Sequence, residues 1–399
     1  MNKIAWIAIG AGLLTQPLAA NELFFEATAK ISTEVSLFAQ QGQFANQDYS
    51  SNISVALEPE FYWEWNDASD NLTFKPFFRV DQRDSKRSHA DIRELSWVHL
   101  ADDWEVRTGF RKVFWGVTEY QNLVDVINQS DTVEGLSKGE KLGQPMLNLS
   151  LVRDWGIVDL FVLPGFREQT YVGNDGRFRS SLVVDADSTS YQSSKGKKHV
   201  DVAARWSHSF DLYDVGLHWY KGTNRAPQYQ VISKDGTDVL KANYQQMEQV
   251  GIDAQATIDN WLLKSEVIYQ DNPSDNYFAS QMGFEYTYYG IQESAADLGI
   301  LMEYGYDQRG KKASALLQND IGLGARLALN DTQSSSLLVG VIHDLDFNSN
   351  SFSIEADRRI GENWKATLRA RIFSADDKDD LVSNFTKDDY VKVIFDRYF

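Results

Sequence analysis

Charged residues recur at even spacing in several segments that are otherwise rich in aromatic and aliphatic residues. One segment carries Glu58, Glu60 and Glu64 in this way. Side chains two residues apart lie on the same face of a β-strand, so each segment would present a column of charge. The candidate residues of these columns are Glu58, Glu60, Glu64, Lys75, Arg79, Arg83, Arg107, Arg111, Arg369 and Arg371.

The chemistry open to such columns is electrostatic. Acidic and basic columns on facing walls of an aqueous space create a transverse field, which orders water and favours zwitterionic or polar solutes over apolar ones. Alternatively, adjacent columns neutralise each other through cross-strand salt bridges. A channel can contain both arrangements, so the residue pattern leaves the two open.

The sequence contains no recognisable arrangement for catalysis or metal binding. No two of the six histidines have metal-ligand spacing on one face, and Gly-x-Ser-x-Gly, Walker and dinucleotide-binding motifs are absent. The chain has no cysteine, which excludes disulfides, and its net charge of −18 argues against a nucleic-acid partner. We therefore expect neither enzymatic activity nor a cofactor or metal.

The charged columns belong to a chain that we predict to be all-β. Near the C-terminus, Ala366, Leu368 and Ala370 share one strand face while Arg369 and Arg371 share the other. Eighteen candidate strands show related patterns. They lie near 22–40, 51–65, 71–83, 89–100, 103–115, 145–154, 157–163, 199–210, 213–221, 244–258, 261–270, 277–290, 297–307, 316–329, 334–345, 350–360, 363–374 and 388–399.

The lengths of the connections indicate how these strands are arranged. Alternate connections are short, whereas the other set includes the long segments near 116–144, 164–198, 222–243 and 375–387. A soluble sandwich has no reason to sort its loops in this way. The pattern predicts a single transmembrane antiparallel up-and-down β-barrel of about 18 strands (range 14–18), with short periplasmic turns and long extracellular loops.

Tryptophans support this arrangement, because several lie within a few residues of the short turns, as expected for an aromatic girdle at a membrane surface. These are Trp63, Trp65, Trp104, Trp155, Trp261 and Trp364. At the N-terminus, Lys3, an apolar run and the small residues before a cut after Ala20 predict a signal peptide at 1–20, which leaves 21–399 as the barrel.

Two of the long loops contain candidate functional residues. In the first, a Thr118-x-x-Gln121 capping pattern precedes Tyr120, Leu123, Val124 and Ile127 at helical spacing, which predicts a short helix over 119–128. Such a helix would either fold into the barrel and narrow it or pack on the rim. In the second loop, Arg167, Arg177 and Arg179 would attract an anionic solute or bind lipopolysaccharide phosphates, unless they are only solvated.

Several motifs resemble those of known barrels. The final strand, which ends in Phe399, resembles the C-terminal signature of Gram-negative outer-membrane barrels. An uncharacterised family of proteobacterial porin-like barrels is similar at the following segments: 93–95, 104–109, 115–116, 125–128 and 163–167. The strand count also resembles that of the alginate-export barrel, as an analogy of fold.

This resemblance implies a location in the cell outer membrane and a role as a channel. The partners it implies are outer-membrane lipid, lipopolysaccharide and the barrel-assembly machinery. We expect a porin-like channel for small polar solutes, with a preference for anions left open. The alternatives are a conduit for a polymer or lipid-like product, which would need a periplasmic or inner-membrane transport partner, and a structural barrel that conducts nothing.

Overall fold

The computed structural model describes residues 23–135, 139–313, 315 and 317–399. The predicted signal peptide at 1–20 lies outside these residues. Twenty-one strands are formed, of which eighteen make one closed sheet. The strands of that sheet are β1 Phe24–Phe38, β2 Ser51–Trp65, β3 Asp70–Asp81, β4 His89–Leu100, β5 Trp104–Arg111, β6 Gln144–Arg153, β7 Gly156–Pro164, β9 Val200–Phe210, β10 Tyr213–Thr223, β13 Gln246–Ile258, β14 Trp261–Asn272, β15 Asp275–Tyr288, β16 Asp297–Asp307, β17 Asn319–Ala328, β18 Ser336–Asp344, β19 Asn350–Ile360, β20 Trp364–Ser374 and β21 Tyr390–Tyr398.

Each of these strands pairs antiparallel with its neighbours in the chain, and the last strand, β21, pairs with β1. Their register runs from Lys30 opposite Tyr398 to Phe38 opposite Tyr390. This pairing closes the sheet into a barrel and leaves no strand edge to aggregate. The predicted all-β, 18-stranded antiparallel barrel is thereby confirmed.

Alternation of side chains gives the barrel an apolar outer surface and a polar inner one. In β20, Leu368 points outward and is exposed, whereas the neighbouring Thr367 is buried inside. Large apolar side chains such as Val80 and Ile372 are likewise exposed on the outer surface. A two-residue period forces this division, because consecutive side chains of a strand point to opposite faces.

The four longest connections lie at one end of the barrel, which we call the long-loop end; the opposite end is the short-turn end. The long connections are 112–143, 165–199, 224–245 and 375–389, whereas turns such as 154–155, 211–212 and 259–260 lie at the opposite end. Trp155, Trp261 and Trp364 are exposed beside these short turns. Which end faces the periplasm stays a prediction.

The loop at 224–245 contains an element that the sequence analysis missed. Strands β11 Gln228–Lys234 and β12 Thr237–Tyr244 form a hairpin, and β12 pairs in parallel with the short β8 Ser190–Tyr191. Asp235 and Gly236, both with positive φ, make the turn. An Asp-Gly pair is a strong hairpin signal, so the sequence did carry this information.

The remaining regular elements are short 3₁₀ turns, at Ala186–Ser188, Gly196–Lys198, Ile291–Glu293, Gly310–Lys312 and Leu381–Phe385. None of the described helices has the length and apolar character needed to cross a membrane.

The two faces of the wall should respond differently to the same substitution. Leu323 of β17 points outward and is 48% exposed, whereas Leu338 of β18 lies opposite Arg326 and Glu355 on the inner face. In lipid vesicles, Leu323→Arg should lower the free energy of unfolding by roughly 2–4 kcal/mol if it lies near the bilayer midplane. Leu338→Arg should cost clearly less, and urea titration measures both. Equal costs would contradict the assignment of the two faces.

Candidate functional site

The connection 112–143, which we call the inward loop, folds inside the barrel. Trp115, Val124 and Ile127 are buried against side chains of the inner wall, including Tyr220 and Met247, and Leu123 packs at the edge of this cluster. The loop therefore fills one side of the barrel interior. Of the two positions considered from the sequence, the structure shows the one inside the barrel.

Two carboxylates of the wall hold the backbone of the inward loop. Glu266 of β14 accepts hydrogen bonds from the backbone N–H groups of Val117, Thr118 and Val124, at 2.8, 3.1 and 3.2 Å. It also accepts one from the Thr118 hydroxyl at 2.8 Å. Glu303 of β16 accepts the N–H groups of the next two residues, 119 and 120, at 2.6 and 3.0 Å. Both carboxylates are almost fully buried.

These contacts explain why the predicted helix over 119–128 is wrong. The described chain forms bends in that range. The first N–H groups of a helix have no partners within the helix. Here the N–H groups of residues 117–120 are bound by the wall carboxylates while the backbone follows an irregular path. The Thr118 side chain, expected as a helix cap, instead donates to the Gln121 carbonyl and to Glu266.

The tip of the inward loop is seated in a slot formed by glycines of β17 and β18. A Cβ atom added at Gly322 would lie 2.4 Å from the Tyr120 ring, and one at Gly324 would lie 2.8 Å from the Tyr120 hydroxyl. Beside the slot, Glu119 forms a 2.7 Å ion pair with Arg326. Tyr120 thus anchors the loop to the wall. Residues larger than glycine at positions 322 and 324 would leave no space for its side chain.

On the other side of the barrel, an open space remains between the inward loop and the wall. It is a cavity of about 270 Å³ whose lining is almost entirely polar. Glu134 and Glu140 line it from the loop, and residues such as Arg79, Arg369 and Lys392 line it from the wall. The loop therefore leaves part of the interior unfilled, and that part has a polar lining.

Most charges of this wall are paired across neighbouring strands. Lys30 contacts Glu58 at 2.6 Å, Lys365 contacts Asp357 at 2.8 Å, and Arg369 contacts Glu355 at 2.9 Å. Side chains of these pairs remain between 32% and 41% exposed, which is consistent with contact with water inside the barrel. The pairs match the cross-strand neutralisation considered from the sequence.

Closer to the long-loop end, the pairs merge into a buried network. Glu34 contacts Arg79 at 2.8 Å, Arg87 at 2.8 Å and Lys392 at 3.3 Å. Arg79 also binds Glu134 of the inward loop at 2.8 Å. Buried ion pairs of this kind position the groups that carry them, because a partner that moved away would leave an unpaired buried charge.

The other candidate charges do not belong to this network. Lys75 contacts Glu60 at 3.0 Å, and Arg107 pairs with its neighbour Glu105. The remaining four have separate surroundings. Glu64 accepts a hydrogen bond from Tyr62, and Arg111 lies 3.5 Å from the Asn148 side chain. Arg371 lies opposite Tyr390, and Arg83 is exposed beyond the end of β3. Arg83 therefore does not join the inward column of β3.

The first part of connection 165–199 crosses the barrel mouth, and we call its segment 171–181 the strap. The buried Arg177 pairs with Asp388 and donates to the Tyr49 carbonyl at 3.1 Å. Burial raises the pKa of Asp388, and the contact with Arg177 opposes this effect. The Gln47 amide donates to the Gly176 carbonyl at 2.6 Å. These contacts tie the strap, which follows β7, to the connections 39–50 and 375–389 on the other side of the mouth.

The strap also determines what the three loop arginines can do. From the sequence, Arg177 and Arg179 would attract an anionic solute, bind lipopolysaccharide phosphates or be only solvated. In the structure both are buried, and Arg179 donates to backbone carbonyls. Arg167 forms a 2.7 Å ion pair with Asp91 of the wall. In this conformation, therefore, Arg177 and Arg167 are neutralised by protein carboxylates and Arg179 is satisfied by carbonyl groups.

A second, smaller cavity of about 60 Å³ lies beneath the strap. Arg177 and Phe178 line it from the strap, and Glu134 and Lys392 line both cavities. We call the two cavities together the passage. The larger cavity lies along the wall beside the inward loop, and the smaller one is lined by the strap.

Within the described residues, no group of three or more histidine, aspartate or glutamate side chains is placed to hold a metal ion.

Comparison with solved structures shows that the fold is similar to that of outer-membrane porin-like barrels. OccK11 (OpdR) of Pseudomonas aeruginosa has a TM-score of 0.52 at 8% identity, over 94% of this chain and 96% of that one. OpdQ of the same organism has a TM-score of 0.52 at 10% identity, over 94% of this chain and 98% of that one. Wzi of Escherichia coli has a TM-score of 0.55 at 9% identity, over 94% of this chain and 84% of that one. It is described as a carbohydrate-binding β-barrel involved in group 1 capsule assembly.

No protein-family model and no curated protein sequence matches the chain. At such low identities, the similarity to the solved structures establishes the fold alone.

The glycine slot gives a direct test of how the inward loop is anchored. Gly322→Ala should displace the Tyr120 ring and loosen the loop, because the new methyl group would occupy the position of ring atoms. Hydrogen–deuterium exchange at 117–124 should rise at least severalfold. Gly139→Ala, where an added Cβ meets nothing within 4 Å, is the matched control. Unchanged exchange in Gly322→Ala would show that the slot does not hold the loop.

Proposed function

We propose that the protein is an outer-membrane channel for small polar solutes, which move through the passage beside the inward loop. The observation that carries this proposal is the water-accessible wall of charged groups facing a loop that is firmly held inside the barrel. The similarity in fold to outer-membrane barrels supports it. We expect the barrel-assembly machinery to insert the protein into the outer membrane, where it would contact lipid and lipopolysaccharide.

The physical basis of selection would be the cost of losing water. A polar solute can replace its lost hydration with hydrogen bonds and ionic contacts to the passage wall. An apolar solute would displace water from the charged wall groups without forming hydrogen bonds to them. The larger cavity, of about 270 Å³, has room for several water molecules. Solutes of monosaccharide or amino-acid size are therefore the expected cargo.

A preference for anions is a finer proposal, and the pairing of charges limits it. Lys365 and Arg369 face the larger cavity, but each is matched by a carboxylate within 3 Å. An ion pair presents little net charge to a passing solute, so we expect weak anion selectivity. The dimensions of the passage also disfavour export of a polymer, although Wzi, which shares the fold, is described as binding carbohydrate.

Single-channel recording tests the proposal. The purified protein in a planar bilayer should conduct ions, and the double variant Lys365→Gln/Arg369→Gln should shift the reversal potential in a salt gradient towards cations. The shift is expected because Asp357 and Glu355 would lose their partners. Absence of conductance at every voltage would instead support a structural barrel.

A reversible cross-link tests whether solutes pass beneath the strap. A Cβ atom on Gly176 would lie 3.1 Å from Cγ of Asp84, a separation that a disulfide can bridge. The chain has no cysteine of its own. Oxidised Asp84→Cys/Gly176→Cys should conduct less than the same protein after reduction, because the strap can no longer move. The single variants, which should not respond to reductant, are the controls. Equal conductance in both states would place the route elsewhere.

A further inference from the structure

The larger cavity contains two charged side chains that differ from the rest of its lining. Lys112 and Glu140 both belong to the inward loop and both line this cavity. Within the described ranges, neither has an ion pair or a side-chain hydrogen bond. Other charged residues of the lining are in ion pairs, as in Lys30–Glu58, Lys365–Asp357 and Lys392–Glu34, except Asp396, which accepts a hydrogen bond from Ser32. The unpaired groups are thus one base and one acid.

The backbone on both sides of Lys112 is fixed by one buried side chain. Asn128 accepts a hydrogen bond from the Val113 N–H at 2.8 Å and donates one to the Arg111 carbonyl at 2.8 Å. Asn128 is itself only 1% exposed. The position of Lys112 is therefore set by the fold, while its ammonium group has no partner among the described residues and the residue is exposed.

Glu140 is held in a comparable way. Its carbonyl accepts a hydrogen bond from the Asp131 N–H at 2.8 Å, and Asp131 is bound by Arg93 of the wall. The next residue, Lys141, forms a 3.3 Å ion pair with the buried Asp125. The Glu140 backbone is thus fixed at a site where its carboxylate has no protein partner among the described residues.

We propose that Lys112 and Glu140 form a recognition site for zwitterionic solutes, those that carry one ammonium and one carboxylate group. No ion pair joins the two side chains, so a solute with two separated charges can contact both, its carboxylate at Lys112 and its ammonium at Glu140. A purely anionic solute meets Glu140, and a purely cationic one meets Lys112; either is repelled at one of the two positions. This inference rests on the proposed channel function and names its substrate class.

Three probes of similar length separate the charge classes: γ-aminobutyrate, which carries both charges, butyrate and n-butylamine. Each is added to the full-length channel in a planar bilayer, and the concentration that halves the potassium chloride current is measured. We expect γ-aminobutyrate to act at a concentration at least tenfold lower than either of the other two. Lys112→Gln and Glu140→Gln should each remove this preference, whereas Lys221→Gln, which alters a paired lysine outside the cavity lining, should keep it.

The charge-exchanged variant Lys112→Glu/Glu140→Lys keeps one charge of each sign and should retain the preference for γ-aminobutyrate. Equal block by the three probes in a conducting channel would overturn the recognition site and leave the channel intact. Absence of conductance would overturn the proposed function itself. Preference that survives in both single variants would show that other groups recognise the zwitterion.

Discussion

The pairing of β21 with β1 is the constraint on which the rest of the structure depends. Once the sheet is closed, its backbone groups find partners within the wall, and its two faces meet different surroundings. The outer face can then be apolar along its whole circumference. Most polar groups of the strands then point into the barrel, where carboxylates such as Glu266 and Glu303 are available to bind a loop.

The barrel could be predicted from the sequence because its signals are local. A period of two residues identifies a strand within itself, and connection lengths need only the strand ends. The predicted strand at 244–258 corresponds to β13 at Gln246–Ile258, and the one at 350–360 to β19 at Asn350–Ile360. Boundaries were less certain where a strand ends in a polar turn, which is why Arg83 was placed in β3 although that strand ends at Asp81.

The contents of the barrel could not be predicted in the same way, because they depend on contacts between distant parts of the chain. Thr118 and Glu266 are 148 residues apart, and Arg177 and Asp388 are 211 apart. A local capping pattern at Thr118 therefore suggested a helix, when the decisive partner was a carboxylate on another strand. The charges of Lys112 and Glu140 are visible in the sequence, but their lack of partners is visible only in the fold.

The attachment points of the strap bear on the order of assembly. Arg177 contacts the segment after β1 through Gln40, the segment before β2 through Tyr49 and the segment before β21 through Asp388. These three segments come together only when the first and last strands have met. The three contacts of Arg177 can therefore all be present only in a closed barrel, so covering of the mouth depends on closure of the wall.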